Sequence, residues 1–476
     1  MTYLCVKNYQ YMLFFALIIS FISCSKDSDL LSEYVIADHT ESRLVSNIFI
    51  ADNFIINGND AIVLDVLLND SISNYNDIKI INTTQPENGT VLINEDKTLT
   101  YIPDASVNEE ETTDNFTYTT QENESGSTVN TKVDVTKIND EVKYWKRLFD
   151  IKWADSDYDN ASSRSKSANK EQEYYFLAYF IDGLSTMWQA TGDNVYLDQA
   201  LGLINNTIKD AKSVGNGYKG WPAKNGTEYT LWDSYYWRTV ATLVRIMHQS
   251  PNLRSTGYQE EFENLLAFSE NNIWDRYFSY GLGSIYRSRT HMASHWARIG
   301  MELYIVTGEK KYKEVFDNIS FGEMPGRESN LQNQFYPNPK NPKAYAWDSH
   351  WGSIDGSEIQ DTSHAGTLIS LWVLAYDQNM YWTKSDINGL IPILDIVWSK
   401  TNSKNIKLNI DGSGGYGAKG RLHEWFYLGR FDQKLQDRIK KEYIGSHLNY
   451  FGTQVLGIAA LNAKILSDGS PVYPEK

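Results

Sequence analysis

One short pattern occurs twice in the chain, and it constrains the fold more than any other feature. Residues 191–196 (TGDNVY) and 307–312 (TGEKKY) each follow an amphipathic run and precede another. Glycine is typical of a helix end and an acidic residue of the next helix start, so each copy predicts a helical hairpin. A third, weaker copy is predicted at residues 376–381. Repeated hairpins stack as an open solenoid or as a closed ring of paired helices, and the irregular spacing favours a ring with a hollow centre for a substrate.

The first 23 residues have the features of a secretion leader. The apolar run at residues 11–22 follows Lys7 and is shorter than the roughly 20 residues of a membrane span. It ends in Phe-Ile-Ser-Cys, which resembles a bacterial lipobox and implies cleavage before Cys24 and lipidation of that residue. The acidic tract after it resembles the signal of surface lipoproteins in Bacteroidota. We therefore expect a lipid-anchored protein of the cell outer membrane, exposed at the surface; the alternative is an uncleaved anchor.

Cysteine content and charge exclude several classes of function. Cys5 and Cys24 are the two cysteines of the 476 residues, so a mature chain has no thiol for a disulfide, a thiolate metal site or a nucleophile. Of the net charge of −16, residues 1–138 carry −14. Neither half is basic, so nucleic acid is not an expected partner.

Residues 24–47 are interpreted as a linker, and residues 48–138 as a small all-β sandwich. Short runs rich in Val, Ile, Thr and Tyr alternate there with turn signals. The motifs at 65–70, 85–91, 98–103 and 114–118 resemble those of bacterial cadherin-like or immunoglobulin-like modules. Such a module implies a spacer or an adhesion unit.

Residues 139–476 are helical and aromatic, and contain one stretch without acids. From Arg276 to Met301 there is no Asp or Glu. On a helix that starts near Thr290, one stripe carries His291, His295, Arg298 and Glu302, and a second stripe is apolar. We expect the polar stripe to face the centre of the ring, where a ligand compensates its charge; the alternative is a solvated helix face.

The histidines are candidates for proton transfer. His291 and His295 have the spacing of zinc ligands, but no Glu lies between them and no third ligand is evident, so no metal is expected. His364 follows Asp361 and Ser363, either of which can cap the next helix. A neutral imidazole at that helix start can accept a proton; the alternative is a structural capping histidine.

Aromatic residues cluster beside charged ones, as at a sugar site. One cluster, at residues 221–238, includes Trp232, Tyr235, Tyr236 and Arg238; a second, at 345–351, ends with Trp351. Rings can stack on a pyranose face, although some of them belong to the core.

These residues, set among helical hairpins, resemble a polysaccharide lyase of the (α/α) toroid type, such as the enzymes that degrade alginate, glucuronan and ulvan in marine Bacteroidota. The resemblance covers residues 140–470 in architecture. It implies a multidomain chain in which an all-β sandwich precedes an all-α (α/α) toroid at residues 139–476. The implied substrate is an acidic polysaccharide or oligosaccharide, cleaved without a metal or organic cofactor.

β-Elimination needs groups that neutralise the uronate carboxylate, a base at the α carbon and an acid for the departing oxygen. Arg287, Arg289 or Arg298 with His291 are predicted for the first role. His295 or His364 are predicted for the second, and Tyr235 or Tyr236 for the third, with Arg238 nearby favouring phenolate. A dehydratase could use the same proton abstraction.

Two other functions remain open. A toroidal glycoside hydrolase acting on uronides, unsaturated ones included, would need two carboxylates, with candidates Asp233, Asp348, Glu358 and Asp361. A surface glycan-binding protein without turnover would need the aromatic residues alone. His423 and Glu424 could also reach the site.

Overall fold

The computed structural model describes residues 47–56, 61–104, 112–123, 125–137, 139–167, 171–223, 225–417, 422–444 and 448–475. The chain divides into two compact units, residues 1–49 with 70–76 and residues 50–69 with 77–476. In the described part of the first unit, Ile48 and Ser71 exchange two backbone hydrogen bonds of 3.0 Å. The predicted leader (1–23), Cys24 and most of the predicted linker (24–47) lie outside the described residues.

The second unit begins with a β-sandwich, as predicted. One sheet has the strand order β1-β7-β6-β3 and the other the order β2-β5-β4. β1 runs parallel to β7, and the other pairs are antiparallel. Alternate residues of the strands, such as Leu64, Tyr101 and Val133, are buried between the sheets. The strands are β1 (Asp52–Ile56), β2 (Ile62–Leu64), β3 (Ile78–Thr83), β4 (Gly89–Ile93), β5 (Leu99–Pro103), β6 (Thr112–Glu122) and β7 (Thr128–Lys137).

Three of the four sandwich motifs meet at the buried carboxylate of Asp114. This carboxylate accepts hydrogen bonds from the backbone N–H of Asn88 (2.9 Å) and from the Tyr101 hydroxyl (2.5 Å). Gly89 is required beside them, since a Cβ there would lie 2.7 Å from the Tyr101 ring. The motifs therefore recur together because their residues contact one another.

The rest of the second unit is mainly helical. Asn139 caps the first helix, its side chain accepting from Val142 N at 2.8 Å. The principal helices are α1 (Asp140–Lys152), α2 (Tyr158–Ser165), α3 (Glu171–Thr191), α4 (Asn194–Asp210), α5 (Thr230–His248), α6 (Gln259–Phe268), α7 (Thr290–Thr307), α8 (Lys310–Ser320), α9 (Thr362–Asp377), α10 (Lys384–Leu390), the 3₁₀ helix Glu424–Phe431, α11 (Gln433–Arg438) and α12 (Leu448–Asp468).

Short elements join these helices. Three two-stranded hairpins are formed by Lys212–Gly215 with Tyr218–Gly220, Phe335–Asn338 with Asn341–Trp347, and Ile406–Lys407 with Tyr416–Gly417. Short helices and helical turns lie at Tyr75–Asp77, Trp153–Asp157, Pro251–Leu253, Arg254–Tyr258, Ser269–Asp275, Arg276–Ser279, Leu282–Ser284, Leu331–Gln334, Ile393–Val397 and Ile439–Tyr443.

The principal helices form a closed double ring. In the part of the chain that the structure describes, six inner elements pack in the order α3, α5, α7, α9, the 3₁₀ helix and α12, and α12 packs back on α3. Each inner element also packs on an outer helix: α4, α6, α8, α10, α11 and α1, in the same order. This is an (α/α) toroid, so the prediction of a ring over a solenoid is confirmed.

The repeated pattern marks the turn from an inner to an outer helix. Gly192 and Gly308 adopt the left-handed conformation, with φ of 70° and 73°. Tyr196 and Tyr312, which end the two copies, are both buried, and their hydroxyls donate to acids of the preceding outer layer, Asp150 and Glu270. The third copy also lies at such a turn, after α9, with Asn379 in place of the glycine. The first two copies share a sequence because, in both, the final tyrosine hydroxyl donates to an acid of the preceding outer layer.

Charged side chains fill the centre of the ring halfway along the inner helices. The prediction of a hollow centre is therefore wrong at that level of the ring. Arg238 of α5 forms an ion pair with Glu424 of the 3₁₀ helix, and both side chains are 0–1% exposed. Arg298 of α7 donates to Thr242 of α5 at 3.0 Å and lies 3.8 Å from Asp182 of α3. Inward-facing cations are thus balanced by carboxylates from neighbouring helices.

Replacing Glu424 by alanine should lower the free energy of unfolding by about 3–5 kcal/mol, because Arg238 is left buried without its counter-charge. The double variant Arg238→Met/Glu424→Leu should be more stable than Glu424→Ala, since no unpaired charge remains. Urea titration followed by tryptophan fluorescence measures both.

The matched control is Glu141→Ala, which breaks an exposed ion pair of 2.7 Å with Lys440 and should cost only about 0–1 kcal/mol. Equal losses for Glu141→Ala and Glu424→Ala would contradict a role for the central pair in stability.

Candidate active site

The inner elements place their reactive side chains at one end of the ring. Tyr235 and His295 lie in the second turns of α5 and α7, His364 lies in the first turn of α9, and His423 directly precedes the 3₁₀ helix. These residues contact one another or share neighbours, so the N-terminal ends of the inner helices meet at this end. We call it the N-terminal mouth. The positive ends of several helix dipoles therefore point to one place, which favours an anionic ligand.

Among the described residues, His364 is an accessible histidine at the mouth, and a carboxylate orients it. Its side chain is 51% exposed, and Nδ1 lies 2.7 Å from Oδ2 of Asp361. Asp361 also caps α9 by accepting from the His364 backbone N–H at 3.0 Å. Burial would raise the pKa of Asp361, but the hydrogen bonds and charge of His364 lower it to about 2. An ionised Asp361 holds the proton on Nδ1, which leaves Nε2 as the acceptor.

His291 and His295 line the wall beside His364 as uncharged rings. The rings of His291 and His364 stack with centroids 4.4 Å apart. Burial, reinforced by the charge of His364, lowers the pKa of His291 to about 3. Burial and then Arg238 hold the pKa of His295 well below its usual range. Among the described residues, Nδ1 of His291 and Nε2 of His295 have no hydrogen-bond partner.

Tyr235 belongs to a group of three tyrosines that sequence reasoning found only in part. Tyr235 stacks on Tyr175 of α3 (4.0 Å between centroids) and meets the edge of His295 (5.2 Å). Tyr179, one helical turn after Tyr175, contacts both Tyr235 and His423. Burial raises the pKa of all three phenols. The raised pKa values favour protonated phenols over the predicted phenolate. Their spacing of four residues at a helix start was the signal for Tyr175 and Tyr179.

Arg287 and Arg289 flank the histidines just before α7. The positive charge of Arg287 lowers the pKa of His295, and that of Arg289 lowers the pKa of His291. Both guanidinium groups are therefore close enough to affect the histidines of the mouth electrostatically. Nε of Arg287 is buried with no hydrogen-bond partner among the described residues. Burial and then Arg327 lower the pKa of Arg287. The indole N–H of Trp351 donates to the backbone oxygen of Arg287 at 2.7 Å, which holds this ring beside the arginines.

Other predicted residues lie away from the mouth or below it. Tyr236 packs in the core against Tyr174 and Trp221, and its hydroxyl lies 3.1 Å from Thr207 of outer helix α4. The structure therefore does not bring it to the site. Arg238 and Arg298 belong to the buried central network. Since both side chains are 1% exposed, the structure does not place them where they would contact a substrate, contrary to the prediction. Arg238 lies 4.1 Å from the Tyr235 ring centroid and so supports that ring from below. Trp232 is half-buried in the first turn of α5 and packs on Tyr229.

The four candidate carboxylates do not face one another across the mouth. Asp233 is buried against Arg276 (2.6 Å) and Tyr277 (2.7 Å). Asp348 is buried among Tyr336, Ser353 and Gly356, and Glu358 lies 3.3 Å from His350. Asp361 alone of the four touches the histidine group.

Two structural searches of the described residues bear on other predictions. No three His, Cys, Asp or Glu side chains converge there as a metal site. Within the same residues, every helix is too short or too polar to cross a membrane. Lipidation at Cys24 and the outer-membrane location stay predictions.

Comparison with known proteins identifies the N-terminal module. Residues 46–136 match a family model described as a bacterial Ig domain. This module is Ig-like. The match agrees with the two sheets and with the predicted cadherin-like or immunoglobulin-like sequence pattern. No curated protein matches the chain.

One similar solved structure is an inactive variant of the alpha-1,6-mannanase GH76A of Salegentibacter sp. HEL1_6 in complex with alpha-1,6-mannotetrose. It is 12% identical and covers 65% of this chain and 98% of its own, with a TM-score of 0.36.

The buried histidines predict how stability depends on pH. The pKa of His291 is about 3 in the fold, against about 6.5 when unfolded, so the unfolded chain binds more protons between these values and stability falls as pH drops through them. His291→Gln should reduce the loss of unfolding free energy between pH 7 and pH 5, by up to about 1.4 kcal/mol for each pH unit below 6.

Urea titration at pH 7 and pH 5 measures this difference, with Ser363→Ala as a control that removes no ionisable group. An unchanged pH dependence in His291→Gln would show that His291 does not remain neutral in the fold.

Proposed function

We propose that the chain is a carbohydrate-active enzyme that cleaves a uronate-containing glycan at the N-terminal mouth by β-elimination. Ulvan, glucuronan and alginate are the substrates to test. The observation that carries the proposal is the Asp361–His364 pair, in which an ionised carboxylate orients an accessible imidazole. A dehydratase acting on an oligosaccharide end would use the same groups.

Arg287 and Arg289 are proposed to bind the uronate carboxylate. Nε of Arg287 has no hydrogen-bond partner among the described residues, Arg289 donates to the Ser349 hydroxyl at 3.1 Å, and the inner helix N-termini add positive potential. A bound carboxylate would supply the missing counter-charge. It would also be polarised, which stabilises the negative charge that develops when the α proton leaves.

His364 is proposed as the base. When Nε2 accepts the α proton, the imidazole becomes positive, and Asp361 at 2.7 Å from Nδ1 stabilises that charge. His291 and His295 are poorer bases because burial lowers their pKa and so disfavours the imidazolium that forms when a base accepts the proton. They are suited to donate or accept hydrogen bonds from the sugar without repelling the new imidazolium.

Tyr175 and Tyr235 are proposed to protonate the departing oxygen. The electrons of the C–H bond form the new double bond, the C–O bond breaks, and the leaving oxygen takes a proton from a phenol. Tyr175 is the more accessible of the two stacked rings, and hydrogen bonds among Tyr175, Tyr179 and Tyr235 can return a proton from water to the phenol that donated its own.

Hydrolysis is the second candidate function, and Asp361 is the observation that favours it. Its side chain is 35% exposed at the mouth, but a glycosidase needs a second carboxylate about 5–9.5 Å away. Among the described side chains, Asp233, Asp348 and Glu358 are engaged elsewhere. Hydrolysis therefore stays a second candidate beside elimination.

Incubation with ulvan, glucuronan and alginate should produce the ultraviolet absorbance of an unsaturated uronate on at least one of them. His364→Ala should lower kcat by about 10²–10⁴-fold on that glycan, because the base is lost. New reducing ends without absorbance would indicate hydrolysis, and binding without product would indicate a glycan-binding protein.

The phenols offer two matched pairs of variants. Tyr175→Phe and Tyr235→Phe should each lower kcat, whereas Tyr174→Phe and Tyr236→Phe should not, since the latter two hydroxyls lie in the core. Circular dichroism and thermal unfolding confirm that each variant folds. Equal activity across both pairs would contradict the assignment of the phenols as acid.

A further inference from the structure

The opposite end of the ring carries a second cleft. It lies where the inner helices end, has a volume of about 390 Å³, and is lined by Gln189, Arg245, Tyr376, Asp377, Gln378, Arg430 and Ser470, among others. This volume is within the range of about 300–1,000 Å³ that is typical of small-molecule sites. None of these residues takes part in the proposed reaction.

One cation of this cleft is incompletely paired. Arg430 is 6% exposed, and its Nη1 donates to Asp377 at 2.6 Å while Nε lies 3.4 Å from Asn462. Nη2 of Arg430 is buried without a hydrogen-bond partner among the described residues. A buried guanidinium nitrogen without a partner is costly, so a ligand oxygen here would be favourable.

The polar groups of the cleft alternate between donors and acceptors. Arg245 pairs with Glu302 at 2.5 Å and donates to Gln249 at 2.9 Å, and Gln249 in turn donates to Gln378. Side-chain amides of Gln189 and Asn379, and the carboxylates of Asp377 and Glu475, complete the lining. Such a set can both donate to and accept from neighbouring hydroxyl groups.

Charge argues against an anion. Two arginines of the lining are matched by two carboxylates, and the inner helices present their negative dipole ends to this side. Tyr376, Ile465 and two prolines supply apolar surface beside the polar groups. Apolar walls with a few paired donors and acceptors suit a neutral, hydroxyl-rich ring.

We propose that this C-terminal cleft is a second carbohydrate site, which binds one or two neutral sugar units away from the N-terminal mouth. The proposal does not depend on which reaction the mouth catalyses. Such a site would bind an uncharged part of a glycan, whereas the acidic part would bind at the N-terminal mouth.

Ligand-observed NMR and calorimetry with the methyl glycosides of glucose, mannose, galactose, xylose and rhamnose test it, with methyl glucuronide as the anionic comparison. At least one neutral glycoside should bind. Ser470→Trp, which fills the cleft, should raise its dissociation constant by about tenfold or more. Gln378→Ala should also weaken binding, and this variant replaces Ser470→Trp in the test if the tryptophan variant does not fold.

Two control variants test whether binding occurs at this cleft and not at another part of the protein. Gln433→Ala changes an exposed glutamine outside the lining and should leave binding unchanged. His364→Ala alters the mouth and should also leave it unchanged. The proposal is overturned if no neutral glycoside binds, if only the glucuronide binds, if binding survives both cleft variants, or if His364→Ala abolishes it.

Discussion

The ion pair between Arg238 and Glu424 links the stability of the ring to the geometry of the mouth. It joins α5 to the 3₁₀ helix across the buried centre. The same guanidinium lies 4.1 Å from the ring centroid of Tyr235, which in turn packs on Tyr175 and His295. A buried charge must be paired, and the pairing requires one relative position of the two elements. The tyrosines above the pair are therefore held on a rigid base.

The two ends of the ring differ because its inner helices run in the same direction. Their N-termini meet at the histidines and arginines, and their C-termini meet at the cleft of Arg430 and Asp377. Helix dipoles make the first end electropositive and the second electronegative. The two proposals follow this difference, with an acidic sugar at the first end and a neutral one at the second. The common direction of the inner helices thus gives the two ends of the ring opposite electrostatic potentials.

Much of this architecture could be predicted from the sequence, since local patterns determine it. The glycine turns at Gly192 and Gly308 and the sandwich motifs around Asp114 depend on neighbours in sequence or on recurrent contacts. The inward direction of His291, His295 and Arg298 was predicted from helical spacing, and it agrees with their contacts with other inner helices. Asp361 was correctly named as a possible cap, although its contact with the His364 ring was not foreseen.

The remaining features depend on contacts between distant parts of the chain. The stretch from Arg276 to Met301 contains no acid, but Asp233, Glu424 and Asp182 reach its arginines from other elements. Tyr235 and Tyr236 are adjacent in sequence, and only the closed ring shows that one faces the mouth and the other the outer layer. Spacing alone cannot place such contacts.

The most direct test of eliminative chemistry is mass spectrometry of the products formed in water enriched in heavy oxygen, on a glycan that the protein degrades. Elimination adds no water across the broken bond, so the account predicts unsaturated products without the heavy isotope at the new ends. Incorporation of one heavy oxygen atom for each bond cleaved, with no unsaturated product, would establish hydrolysis and contradict it.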